Sequence, residues 1–302
     1  MTPLFASRNP HTSGLSRTLA RLAPTDLTIL LEGETGTGKS FAAARLHRRG
    51  RPGRPIVVVD CGAVPETLLA SELFGHRAGA FTDATRARAG ACDRAGEGTL
   101  VLDRIDALSS TGQTALLRLL EERRFVPVGA STTRALRARV VALAGPDLLA
   151  RMSRGEFRAD LFHRLNGFHA VLPPLRHRPE DIVPFGRSVV RRAGAGRLRL
   201  DSEAEGWLEA YPWPGNFREL RTVLERSCLI AGGPIISVAE VGLPVAGWAA
   251  VQESALARAL PLAEVERLYG LAMLAREGGN VSRAARILGI SRRTLIRWRR
   301  ES

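Results

Sequence analysis

Lysine is almost absent from this chain. Of its 44 basic residues one is lysine, Lys39, and the other 43 are arginine. A bias that strong would have replaced any lysine whose work a guanidinium can do, so position 39 is expected to need a compact ammonium group. Cysteine is scarce as well. Cys61, Cys92 and Cys228 lie far apart and form no CxxC pair, which excludes a disulfide framework or a thiolate zinc site and fits a reducing compartment. They read as small buried hydrophobes. Long apolar runs are missing too: none approaches the roughly 20 residues that span a bilayer. The opening "MTPLFASRNP" has no charged start followed by an apolar core. Neither a membrane span nor a signal peptide is expected, and the cytoplasm is the expected location.

Positive charge is present in excess. The formal net charge is +14, a field that attracts nucleic acid, nucleotides and other polyanions. The arginine bias could spread such charge evenly, but it concentrates: residues 276–302 hold eight Arg against two Glu, a local +6. The length of 302 residues and a 45 % hydrophobic content suggest a folded chain of two or three domains.

Residues 1–24 are polar, are broken by Pro and Gly, and read as a lead-in too short for a sensory domain, so any activating signal is expected from a partner, nucleotide or expression level. Apolar, β-rich runs then alternate with helical stretches. "LTILLEG" (27–33), "PIVVVD" (55–60), "GTLVLD" (98–103), "ARVVALA" (138–144) and "GFHAVLP" (167–173) read as strands. "KSFAAARLHRR", "PETLLASELF" and "GQTALLRLLEERRF" read as helices between them. This alternation predicts an α/β unit over 25–174, a parallel sheet covered on both faces. Residues 175–241 lack strand patterning and read as a smaller helical domain. A Gly- and Pro-containing linker (242–260) leads to a compact all-α tail (261–302).

"GETGTGKS", Gly33-Glu34-Thr35-Gly36-Thr37-Gly38-Lys39-Ser40, fits the phosphate-loop pattern between a predicted strand and a predicted helix. Its glycines let backbone N–H groups turn around phosphates at a helix N-terminus. Lys39 is expected to reach the β- and γ-phosphates, and Ser40 to hold Mg²⁺. Asp103, at the tip of "GTLVLD", is the expected metal carboxylate. Hydrolysis normally needs a second carboxylate beside it to polarise water, but the next residue is Arg104, a permanent cation.

Residues 25–235 resemble the central AAA+ domain of sigma-54-dependent transcriptional activators, the bacterial enhancer-binding proteins. "GETGTGKS" looks like their Walker A and "GEGTLVLDRID" like their Walker B segment. "SELFGHRAGAFTDA" (71–84) is similar to their sigma-54-contacting loop, with GAFTGA as hallmark. "FRADLFHRLNGFHAVLPPLRHRPEDI" (157–182) matches their arginine-finger region, and "YPWPGNFREL" (211–220) their sensor II segment. The resemblance implies an AAA+ P-loop sheet with a helical lid, ATP and Mg²⁺ as cofactors, and a homo-oligomer, dimer to ring. It also implies that Arg158 and Arg164 are catalytic fingers reaching a neighbour's nucleotide and that Arg218 senses the γ-phosphate. Gly79, Ala80, Phe81, Thr82, Asp83 and Ala84 would form the loop that contacts sigma-54 RNA polymerase holoenzyme.

The chain departs from that pattern at four places. Asp83 replaces the second glycine of the hallmark, and Arg104 replaces the Walker B glutamate. Asp60 stands where the family has the asparagine that bonds that glutamate, and Ala144-Gly145 replace the polar sensor I pair. Asp60 and Arg104 are expected to form a bidentate ion pair at adjacent strand tips. Two readings follow: a DNA-binding regulator that binds ATP with impaired hydrolysis, or a fully active ATP-hydrolysing activator that remodels promoter-bound polymerase. A metabolic P-loop kinase would have no use for the lid or the tail.

"PLAEVERLYGLAMLAREGGNVSRAARILGISRRTLIRWRR" (261–300) parses into three helices. The first has Leu262, Val265, Leu268, Tyr269, Ala272 and Met273 as its expected apolar stripe. Asn280 or Ser282 is expected to cap the second and Ser291 the third, a helix-turn-helix for double-stranded DNA. This tail resembles the Fis-type domain with which the same activators end. Arg292, Arg293, Thr294 and Arg297 are expected at base edges, with Arg299 and Arg300 nearer phosphates. Trp298 is read as a core residue.

Overall fold

The computed structural model describes residues 4–81, 84–241, 261–277 and 279–300. The chain divides into two compact units, Met1–Pro173 and Pro174–Ser302.

In the first unit the elements run α1 (Pro10–Leu22), β1 (Ile29–Glu32), α2 (Lys39–Gly50), β2 (Ile56–Asp60), α3 (Glu66–Phe74), the short pair β3 (Gly75–His76) and β4 (Arg88–Ala89), and α4 (Ala91–Ala95). There follow β5 (Thr99–Asp103), α5 (Ser110–Glu122), the short pair β6 (Arg124–Phe125) and β7 (Arg134–Ala135), β8 (Arg139–Ala144), α6 (Leu148–Ser153), α7 (Ala159–Leu165) and β9 (Phe168–Val171). The main sheet is parallel, in the order β2-β5-β8-β1-β9. All five predicted strands are there. The continuous apolar runs of the inner strands β1, β5 and β8 follow from burial on both faces: Ile29, Leu31, Val101, Val141 and Leu143 enter one core layer, and Leu30, Leu100, Leu102, Val140 and Ala142 the other, whereas the edge strands β2 and β9 leave Ile56, Val58 and Val171 exposed.

The stretch read as a polar lead-in contains a helix. α1 is capped by the Asn9 side chain, which accepts from the Thr12 N–H, and has Pro10 in its first turn. It sends Leu19, Ala20 and Ala23 into the core beside β1. Its few apolar residues share one face, and that sufficed where overall polarity suggested none. The C-terminal end of this helix is held by Arg139, which opens β8 and is fully buried. Its guanidinium donates to the carbonyls of Ala23 (2.8 Å), Leu22 (3.1 Å) and Leu27 (3.2 Å), and burial brings its pKa down to about 10. Arg139→Met is expected to leave these carbonyls unpaired and to cost about 3 kcal/mol after relief from burying the charge. Thermal melts should show a fall of roughly 6–12 °C.

The second unit begins with a lid: α8 (Ile182–Ala193), β10 (Arg199–Leu200), α9 (Ser202–Ala210), α10 (Asn216–Ile230), β11 (Ile235–Ile236) and α11 (Val238–Val241). β10 and β11 form a short parallel pair that the sequence pattern does not announce. The fully buried Trp213 anchors the lid core, its indole N–H donating to the Leu208 carbonyl at 2.7 Å. Asn216 accepts from the Leu175 N–H at 2.6 Å, tying the start of the lid to the helix that carries Arg218.

The tail consists of Leu262–Arg276, Val281–Leu288 and Arg292–Arg300. Asn280 caps the second helix through the Arg283 N–H, and Ser291 caps the third through the Thr294 N–H. Of the expected stripe on the first helix, Met273 is buried while Leu262 and Tyr269 are exposed, and Leu271 and Leu274 are buried beside Met273. Trp298 packs closely on Gly270 of this helix, leaving no room for a Cβ. The side chains of Val265, Leu268 and Ala272 lie outside the described residues.

Candidate functional site

The site is built at the C-terminal ends of the parallel strands, where chain reversals into helices leave backbone N–H groups and strand-tip side chains together. Gly33 and Gly38 shape the loop. A Cβ on Gly33 (φ 150°) would come 2.6 Å from the Leu172 carbonyl oxygen, and Gly38 caps α2 with φ 104°. Beyond Gly38 a Cβ would meet nothing within 4 Å, so the helix N-terminus opens on free space of the kind a phosphate needs. Thr37 is buried and donates to the Glu34 carbonyl at 2.8 Å. Glu34, Thr35 and Gly36 complete the turn, with Ser40 exposed in the first turn of α2. The Lys39 ammonium donates to the carbonyls of Gly33 (2.6 Å) and Glu34 (2.9 Å). The loop thus closes tightly around a point charge.

On β5, Asp103 lies in register with Asp60 on β2. Burial raises the Asp103 pKa above the ordinary carboxylate range and Asp60 adds to the rise; the Arg104 backbone N–H, Lys39 and the Arg104 charge oppose it. Asp103 is therefore coupled to both Lys39 and Arg104. The expected Asp60–Arg104 pair forms, with Nε at 2.7 Å and Nη2 at 2.6 Å. Both nitrogens converge on the single oxygen Oδ1, which also accepts from the Gly62 N–H at 3.1 Å, so the pair is not the two-oxygen fork expected. The backbone explains this. Arg104 has φ 55°, a left-handed turn, and its side chain lies over Gly62, where a Cβ would come 2.9 Å from Cζ. Asp106 is engaged as well, one carboxylate oxygen accepting from the Gly145 N–H at 3.1 Å. Gly145 leaves the room for it, since a Cβ there would come 2.9 Å from the other oxygen.

Two nearby features carried no sequence motif. Glu32, the last residue of β1, is buried and binds His169 on β9 (2.7 Å) and the Leu148 N–H (3.2 Å). Burial by itself would raise the Glu32 pKa, but the His169 hydrogen bond followed by the Leu148 N–H outweighs it and the net shift is downward. A carboxylate so depressed stabilises the fold above its unfolded pKa and loses that contribution as pH falls through its folded one. Denaturant unfolding should therefore show the native chain exceeding Glu32→Gln most near neutrality, with the gap narrowing toward about pH 3. The second feature is Gln113, buried in α5. Its amide donates to the Leu108 (3.1 Å) and Glu156 (3.0 Å) carbonyls and accepts from the Arg158 N–H (2.9 Å). It fixes the backbone at the start of α7.

Arg158 and Arg164 flank that short helix. Both are half exposed. Arg158 forks onto Asp160 (3.0 and 2.7 Å), and Arg164 is 3.6 Å from Glu121. Arg218 is exposed in the first turn of α10, in the other unit. The loop Gly79–Ala84 rises between β3 and β4, pinned where the Gly79 N–H donates to the Ala84 carbonyl (2.7 Å). Ala80 is partly buried and Phe81 partly exposed in this loop, and Thr82 and Asp83 lie outside the described residues. Phe81 stays partly exposed with its ring edge-on to His76 at 4.9 Å. His76 braces the loop base through Ser71 Oγ (2.7 Å) and the Arg86 carbonyl (3.1 Å). In the tail, Arg292, Arg293, Arg297 and Arg299 are exposed along the third helix. Thr294 is partly spent on the cap, its hydroxyl 2.8 Å from Ser291 Oγ. The Arg300 side chain lies outside the described residues.

The chain is similar to known proteins along most of its length. Residues 5–170 match the Sigma-54 interaction domain, 176–254 the AAA+ ATPase lid domain, and 261–301 the bacterial regulatory protein, Fis family. The chain belongs to the sigma-54 interaction domain family. Transcriptional regulatory protein ZraR of Klebsiella oxytoca is 41 % identical over 294 residues, covering 95 % of this chain and 66 % of the relative. Regulatory protein AtoC of Escherichia coli is 37 % identical over 302 residues, covering 96 % and 66 %. The chain thus spans just under two thirds of the length of these curated relatives. NtrX from Brucella abortus, solved in complex with ATP, superposes with a TM-score of 0.71 at 29 % identity, over 98 % of this chain and 68 % of that one. Hsp104 (TM-score 0.55, 16 % identity, 72 % of this chain and 44 % of that chain) shares the fold. Among the described residues, no helix is long and apolar enough to cross a membrane.

Proposed function

We propose that this member of the sigma-54 interaction domain family is a sequence-specific DNA-binding transcriptional regulator that holds ATP and Mg²⁺ with impaired hydrolysis. The observation that carries the reading is Arg104, bound to Asp60 beside the metal carboxylate Asp103. Support for nucleotide comes from the glycine-shaped loop closed on Lys39 and from NtrX, a relative solved with ATP.

The N–H groups of Gly36 to Ser40 and the Lys39 ammonium would hold the phosphates. Ser40 and Asp103 would hold Mg²⁺, which would neutralise charge on the bound phosphates. Bound ATP would supply the phosphoryl charge by which such a regulator changes state. Water activation would be impaired because the residue after Asp103 is no base: Arg104 cannot accept a proton, and Asp60 and Asp106 each have one carboxylate oxygen engaged, by Arg104 and Gly62 and by Gly145 respectively. Arg158 and Arg164 would serve a neighbouring subunit's site by giving up their local carboxylates, and Arg218 would report the γ-phosphate from the lid. Gly79 to Ala84 would contact sigma-54 polymerase, with Asp83 altering that surface. Localisation is proposed to be cytoplasmic.

The fingers and the nearly intact loop favour the other reading, a hydrolysing activator. A single-turnover assay with labelled ATP separates the two: tight retention with little product supports the first, and brisk turnover overturns it. For the tail, Arg293→Ala is expected to relax sequence preference by roughly 1–3 kcal/mol at one base position, measured by binding to a randomised duplex pool. An equal loss on all sequences would assign Arg293 to phosphate instead.

A further inference from the structure

The turn into α10, the helix that carries Arg218, is strained. Trp213 and Asn216 have φ of 52° and 53°, in the left-handed region that residues other than glycine seldom take. Such a turn persists only where its surroundings over-determine it. Three clamps do so. The Asn216 side chain accepts from the Leu175 N–H at 2.6 Å. Glu219 accepts from the Gly215 N–H at 2.8 Å and from the Tyr211 hydroxyl at 3.0 Å. The third clamp is the Phe217 ring, whose centroid lies 4.6 Å from Cζ of Arg178 and 4.5 Å from the Phe185 ring on α8.

Arginine is a costly residue to place at position 178. It sits between two single-turn helices, Leu175–His177 and Pro179–Asp181, and is only 3 % exposed. Burial brings its pKa down to about 10 against the opposing charge of Asp181, so it remains a cation at neutral pH. An apolar side chain would fill the volume without desolvating a charge. What the guanidinium adds is attraction for the face of the Phe217 ring, which strengthens out of water. We infer that Arg178 is a positioning residue for Arg218. It holds the Phe217 ring, and Phe217 fixes the first helical turn, from which the neighbouring Arg218 side chain extends, exposed. The Arg218 head group ends a long flexible stem, so a small rotation of that turn displaces it far, and a planar fork on phosphate tolerates little displacement. Arg178 therefore acts on the preference for ATP over ADP, whereas the phosphate loop supplies binding common to both. This role rests on the proposed γ-phosphate contact of Arg218.

Isothermal titration of the full chain with ATP·Mg²⁺ and with ADP·Mg²⁺ gives the ratio of the two affinities. Arg178→Met keeps the apolar stem and removes the charge. It is expected to lower the ATP-to-ADP ratio about 3- to 10-fold while ADP affinity stays native. Arg178→Lys still offers the ring a cation and is expected to keep the native ratio. An unchanged ratio in Arg178→Met overturns the inference. So does an equal loss for both nucleotides, which would make Arg178 a support of the lid core alone, and so does a Lys variant no better than Met. Arg218→Ala separates this role from the reading beneath it, and is expected to lower the ratio by about 10-fold or more. If Arg218→Ala leaves the ratio native, the γ-phosphate contact itself is wrong. If Arg218→Ala lowers it and Arg178→Met does not, only the role of Arg178 falls. Should Arg178→Met not fold, Phe217→Leu removes the ring and keeps Arg178. It is expected to lower the ratio likewise, and a native ratio there overturns the inference equally.

Discussion

The Arg104→Glu, Asp60→Asn double variant is expected to hydrolyse ATP on the order of 100 times faster than the native chain, or more. The substitution returns an acid to the residue after Asp103 and a neutral hydrogen-bonding partner to the facing strand tip, Asp60 on β2 being in register with Asp103 on β5. The fold should tolerate it. The two head groups are about half exposed, and ion pairs so placed contribute only about 0–1 kcal/mol. Because the left-handed turn at residue 104 suits neither Arg nor Glu better, the exchange alters chemistry more than backbone. Single Arg104→Glu is expected to recover less, since the introduced carboxylate would then face the like-charged Asp60, which raises its pKa. Steady-state and single-turnover rates on the purified chains check this. Equal rates in native and double variant would mean that Arg104 does not silence the site.

Lys39→Arg is expected to weaken ATP binding by roughly 10- to 100-fold, although the charge is kept. The ammonium fits between the Gly33 and Glu34 carbonyls, 2.6 and 2.9 Å away, in a turn whose first residue has no room for a Cβ. A planar guanidinium is wider and presents its donors in a fixed fork, so it cannot donate to these carbonyls and the phosphates together without opening the loop. Isothermal titration with ATP·Mg²⁺ measures the loss, and native affinity in the variant would refute the need for an ammonium at the one lysine the sequence retains.

The resemblance and the fold were legible because their signals are local. A strand buried on both faces must be a continuous apolar run, as "LTILLEG" and "GTLVLD" are, and a phosphate loop needs its glycines within eight residues. α1 was hidden because its polar composition masks a few helically spaced apolar contacts. The burial of Leu271 and Leu274 on the first tail helix was hidden because Trp298, which packs on Gly270, lies far along the chain. Glu32–His169 and Gln113–Arg158 were invisible because their partners lie 137 and 45 residues away.

By itself the sequence determined which chemistry is available: a lone lysine in a phosphate loop, one metal carboxylate, and arginine where a base should be. Only tertiary structure decided how those groups are engaged. Parallel register brings Asp60 to Asp103, the turn at Arg104 lays its guanidinium over Gly62 onto one carboxylate oxygen, and the missing side chain at Gly145 lets Asp106 reach a backbone N–H. Composition fixes charge and proton capacity residue by residue, whereas hydrogen-bond partners depend on distances that exist only once the strands are aligned.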